Sequence, residues 1–78
     1  MELPNIRFDI FPNPATDWLT VHLNQENRGL FIYNLHGSLV YSNNERVSEI
    51  KIPVSEIGGS GVYFVKVNSM VKKLVVVE

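Results

Sequence analysis

No cysteine occurs in this chain, and histidine occurs only twice, at His22 and His36. Without thiols there is no disulfide framework and no thiolate to serve as nucleophile or metal ligand. The two histidines stand in different segments, at no spacing that a tetrahedral zinc site uses. Long apolar runs are missing as well, since nothing approaches the roughly 18 residues of a membrane-spanning helix. Blocks of like charge are also absent: 7 Lys and Arg are scattered among 8 Asp and Glu, for a net charge of -1. Phosphate backbones require a clustered positive field, so nucleic acid is not an expected partner. Met1 to Asn5 has neither the basic region nor the apolar core of a signal peptide. The chain is therefore expected to be one piece of a longer protein. Finally, no segment of useful length shows the 3.6-residue period of a helix.

What is present is a series of short β-type runs. Ile6 to Ile10 alternates, with Ile6, Phe8 and Ile10 on one face and Arg7 and Asp9 on the other. Phe11-Pro12-Asn13-Pro14-Ala15-Thr16-Asp17 interrupts it, and its two prolines fix φ and remove two donors, as a rigid strand-to-strand corner requires. Trp18 to Leu23 resumes the alternation with Leu19, Val21 and Leu23 inward, and Asn24 to Gly29 is a polar turn. Leu30 to Tyr33 is apolar on both faces, which suits an interior strand. Asn34-Leu35-His36-Gly37 turns the chain into a returning strand, Ser38 to Tyr41, and Ser42 to Arg46 reads as a loop. Val47 to Ile52 puts Ile50 and Ile52 inward, and Pro53 makes it an edge strand or ends it. Val54 to Ile57 crosses over with about one helical turn, and Gly58-Gly59-Ser60-Gly61 reads as a flexible hinge. The most strand-like segments come last: Gly61 to Val67 and Val71 to Val77, joined by the hairpin loop Asn68-Ser69-Met70.

Seven short strands with a turn signal about every ten residues indicate an all-β fold. The expected architecture is an Ig-like β-sandwich of Greek-key type. Residues 1–7 form a linker and the start of the first strand, and residues 8–78 form one domain. A domain this small buries only about 60–65% of its unfolded surface, so its thin core rests on aliphatic and aromatic side chains.

Groups that could carry catalysis are few. His36-Gly37-Ser38 sets a histidine beside a serine in sequence only, with no nucleophile elbow and no third group to orient a base. Asp9, Asn13 and Asp17 supply too few oxygens for a convincing calcium site. The glycine-rich stretch lacks the lysine and helix start of a phosphate loop. Trp18, Phe31, Tyr33, Tyr41 and Phe64 suit packing better than an aromatic strip for sugars. Lys66, Lys72 and Lys73 either solubilise an apolar hairpin or present a basic edge to a receptor, and both readings stand. No cofactor or metal is called for, and the reading is non-catalytic.

Four landmarks in order carry a resemblance. They are Phe11-Pro12-Asn13-Pro14-Ala15-Thr16-Asp17-Trp18-Leu19-Thr20-Val21, the middle Phe31-Ile32-Tyr33-Asn34-Leu35-His36-Gly37-Ser38-Leu39-Val40, the run Gly61-Val62-Tyr63-Phe64-Val65-Lys66-Val67, and the closing Lys72-Lys73-Leu74-Val75-Val76-Val77. From about residue 8 to 78 this succession resembles the C-terminal sorting domain of type IX secretion cargo, the type A secretion-tail family. The family's motif positions fall on Pro12, Asn13, Pro14, Asp17, Asn34, Gly37, Gly61, Tyr63, Lys72, Lys73, Leu74 and Val75. His36 in place of a more usual polar turn residue, and the terminal Glu78 in place of a basic one, are the departures.

The resemblance implies an address rather than a catalyst, carried at the C-terminus of a fused N-terminal cargo domain. It implies passage through the periplasm, recognition by the outer-membrane type IX translocon and removal by a sortase-like protease. The cargo then reaches the cell surface or the medium. A terminal strand bounded on one side suggests that a receptor adds a strand to it, with Lys72 or Lys73 fixing register. The competing class is a carbohydrate-binding or spacer β-sandwich on a secreted enzyme, and an apolar hairpin also allows a weak homodimer.

Overall fold

The computed structural model describes residues 7–78, so Ile6, assigned above to the first inward face, lies outside the described residues. Seven strands follow in order: β1 (Phe8–Phe11), β2 (Trp18–Leu23), β3 (Leu30–Asn34), β4 (Leu39–Asn43), β5 (Glu49–Pro53), β6 (Gly61–Val67) and β7 (Met70–Val76). They form two antiparallel sheets, ordered β1-β2-β5 and β4-β3-β6-β7. The long-range pairings β2·β5 and β3·β6 interlock across the sheets, which is the Greek-key connection. β3 is interior, as its apolar character on both faces requires, and β5 is an edge strand that ends at Pro53.

The period-2 patterns build the core directly. Leu19, Val21 and Leu23 from β2 meet Leu30, Ile32, Val65, Val67, Leu74 and Val76 from the opposite sheet, each buried. Ile50, Ile52 and Phe8 complete the first layer, and a 3₁₀ turn at Val54–Glu56 adds Val54. Burying such a side chain contributes about 1.5–3 kcal/mol.

Most strand bounds shift by one or two residues from the sequence reading, and two shifts and one segment bear on the site. β4 runs to Asn43, because Ser42 and Asn43 still pair with Phe31 and Leu30. Met70 belongs to β7, so the last hairpin turns through Asn68 and Ser69 alone, with Asn68 at φ 57. Asparagine tolerates that left-handed conformation. Gly58 to Gly61 is not a flexible hinge: the Tyr63 hydroxyl donates to the Gly59 carbonyl at 2.7 Å, and the Glu78 N–H donates to Ser60 Oγ at 2.8 Å. A side chain at Gly58 would place its Cβ 2.7 Å from Tyr63 Oη. A tyrosine at the start of a strand, bonded a few residues back, is the tyrosine corner of immunoglobulin-type sandwiches.

Candidate functional site: the sealed edge of the last strand

β7 is the last strand of its sheet, but the C-terminal half of its edge is occupied. Alternate residues of an edge strand point both backbone groups outward. In β7 these include Lys73 and Val75. The Pro-Asn-Pro-Ala corner meets them and continues past the strand to Val77. Asn13 Nδ2 donates to the Lys73 carbonyl at 3.0 Å, and Asn13 Oδ1 accepts from the Val75 N–H at 3.0 Å. Ala15 follows, donating its N–H to the Val75 carbonyl at 2.8 Å and accepting from the Val77 N–H at 2.9 Å.

Asparagine suits this role because its amide presents one donor and one acceptor side by side, the same pair a backbone residue offers. Pro12 and Pro14, both preceded by cis peptide bonds, flank it and stay exposed. Ala15 is fully buried and forms an isolated parallel bridge with Val76. A free edge awaiting an added strand, expected above, is therefore not what β7 presents between Lys73 and Val77.

Four of the remaining motif residues, Asn34, Gly61, Tyr63 and Leu74, share the ladder that ends at this seal. Asn34 pairs across β3·β6 with Tyr63, and Tyr63 pairs across β6·β7 with Leu74, giving one row across the sheet. Gly61 pairs with Val76 in the same ladder. Asn34 organises its turn: Oδ1 accepts from the His36 and Ser38 N–H groups at 2.9 and 3.0 Å, and its carbonyl accepts from the Gly37 N–H at 3.0 Å. Gly37 sits at φ 81 with open space around it, so the backbone conformation rather than crowding requires glycine there. Asp17 stands apart, its carbonyl accepting from the Val54 N–H at 2.9 Å while its side chain is exposed.

Lys72 and Lys73 stand on opposite faces of the sheet. Lys73 is exposed on the outer face, opposite Phe64. Lys72 shares the inward parity of Leu74, and its Nζ lies 5.8 Å from the Phe8 ring centroid. An inward lysine on an edge strand discourages edge-to-edge pairing, and the aromatic face stabilises the cation.

Two residues outside the motif set matter structurally. Ala15 carries half the seal. Asn27 is fully buried, with Nδ2 donating to the Asn43 and Glu45 carbonyls at 3.0 Å each and Oδ1 accepting from the Gly29 N–H at 3.0 Å. Nothing in the polar stretch around Asn27 distinguishes it from its solvated neighbours. Asn13 Oδ1, considered above as a cation ligand, is engaged by Val75, and no metal-type cluster of His, Asp or Glu occurs among the described residues.

Compared with known protein families, residues 9–77 match the family model described as the secretion system C-terminal sorting domain. Comparisons with curated proteins and with solved structures gave no match.

Proposed function

Because the chain belongs to the secretion system C-terminal sorting domain family, we propose that it acts without catalysis as the removable address of a type IX cargo protein. The fused cargo crosses the periplasm, the outer-membrane translocon reads the folded sandwich, and a sortase-like protease cuts on the domain's N-terminal side. One observation carries this reading. The Pro-Asn-Pro corner and the closing lysine-valine strand, 60 residues apart between Asn13 and Lys73, are hydrogen-bonded to each other. The motifs therefore report one folded object, and a receptor that reads it can serve unrelated cargo.

The test is export of a reporter fused ahead of residues 1–78, behind a signal peptide, in a host with an active type IX system. Reporter outside the cell supports the reading, and periplasmic retention of a demonstrably folded domain counts against it. A second reading, glycan binding, is favoured by Trp18, which is 55% exposed beside Asp17, Pro53 and Glu78. Calorimetric titration with glycans, compared between the domain and Trp18→Ala, decides that alternative.

A further inference from the structure

The two outer faces of the sandwich differ in kind. On β1·β2·β5, Asp9, His22 and Glu49 form one cross-strand row, and Phe11, Thr20 and Lys51 the next. Both signs of charge are present, and His22 Nδ1 lies 3.8 Å from Glu49 Oε2. Phe11 and Trp18, 49% and 55% exposed, stand on this face among charges of both signs.

On β4·β3·β6·β7 the rows read Leu39–Tyr33–Phe64–Lys73 and Ser42–Phe31–Lys66–Val71. Leu39 is 52% exposed and Val71 54%, with half-buried Tyr33 and Phe64 between Leu39 and Lys73. No carboxylate stands in either row. An exposed apolar face whose rows carry charge of one sign only is what an interaction surface looks like on a small domain. Between Lys73 and Val77 the Asn13–Ala15 seal closes the edge of this same sheet, so a partner there must approach the face.

We infer that this outer face is the docking surface of the domain, and that its occupant is a protein surface with an apolar centre and carboxylates placed to meet Lys66 and Lys73. The inference rests on the sorting reading and specifies which surface the translocon contacts. Charge selects the occupant. A second copy of this face brings only lysines, so stacking two copies would desolvate ammonium groups with no carboxylate in these rows to pair them. An acidic-rimmed partner removes that cost and gains orientation from the charge pairs.

The experiment compares three reporter fusions in the type IX host: the unaltered domain, Lys66→Glu/Lys73→Glu, and Arg46→Glu/Lys51→Glu as a charge-matched control away from the face. Urea unfolding of each isolated domain confirms that it folds. The expected result is export of the unaltered and control fusions, with export of the face variant reduced about tenfold or more, since like charges across a contact cost several kcal/mol. Equal export of all three overturns the docking face while leaving the sorting reading intact. Equal loss in the control and the face variant also overturns it, because net charge would then be the cause. Failure of the unaltered fusion strikes the sorting reading itself. Binding to phosphatidylcholine–phosphatidylglycerol vesicles, lost in the face variant while export persists, would assign the face to lipid and overturn a protein occupant.

Discussion

Asn13 turns one amide into a substitute for a strand residue, and this can be tested at the scale of a single side chain. Asn13→Ala removes two hydrogen bonds to the β7 edge. Water can replace them at this exposed position, so the expected loss is about 1–2 kcal/mol in urea unfolding, with faster exchange of the Val75 amide proton. Asn13→Asp keeps the acceptor for the Val75 N–H and loses the donor to Lys73, and should fall between. An Asn13→Ala domain as stable as the original would mean that the seal contributes nothing. Asn27 makes a sharper case because it is buried. Asn27→Ala leaves the Asn43 and Glu45 carbonyls and the Gly29 N–H without their side-chain partner, at about 1–3 kcal/mol. Asn27→Asp should be worse at neutral pH, since it turns a carboxylate toward those two carbonyls. Burial and facing oxygens raise the folded-state pKa of that carboxyl, so the folded state binds more protons and the deficit shrinks as pH falls through the carboxylate range. A deficit independent of pH would refute this account.

At the scale of the element, β7 is a core strand and cannot be treated as a detachable tag. It buries Leu74 and Val76 and supplies the backbone groups bonded by the Asn13 side chain and the Ala15 N–H. Removing residues 73–78 exposes the core of the four-stranded sheet and frees the Phe11–Asp17 corner. The truncated domain is expected to lose its β-type circular dichroism and the dispersed amide spectrum of a folded protein. Lost export on truncation would therefore report lost folding, and only point variants that keep the fold can test recognition. A truncated domain with a native-like spectrum would contradict this account of the terminal strand.

At the scale of the molecule, a thin two-layer core supports two outer surfaces that differ in the charge they carry. The β1·β2·β5 face is solvated by mixed charge, whereas on the other face two lysines interrupt the apolar rows. Those lysines are expected to keep the isolated domain monomeric. Lys66→Ser/Lys73→Ser should shift sedimentation velocity toward dimers and larger species in a concentration-dependent way, with little change in unfolding midpoint. An unchanged sedimentation profile would show that the apolar face does not need charge to stay dispersed.

Alternation and proline act locally, so the seven strands, their inward residues and the stop at Pro53 are legible along the chain. The family is legible there too, because the landmark residues keep their order and spacing along the chain. The packing of the two sheets is what lets Asn13 and Ala15 close part of the edge of β7, turns Lys72 inward while Lys73 faces out, and gives Asn27 a buried network. Each depends on a partner 16 to 62 residues away or on which face of a strand the opposite sheet covers. A local pattern carries no information about such partners. The same composition that reads as a polar loop at Asn27 or a free terminal strand at Val75 becomes a buried connection or a sealed edge once the two sheets close on each other.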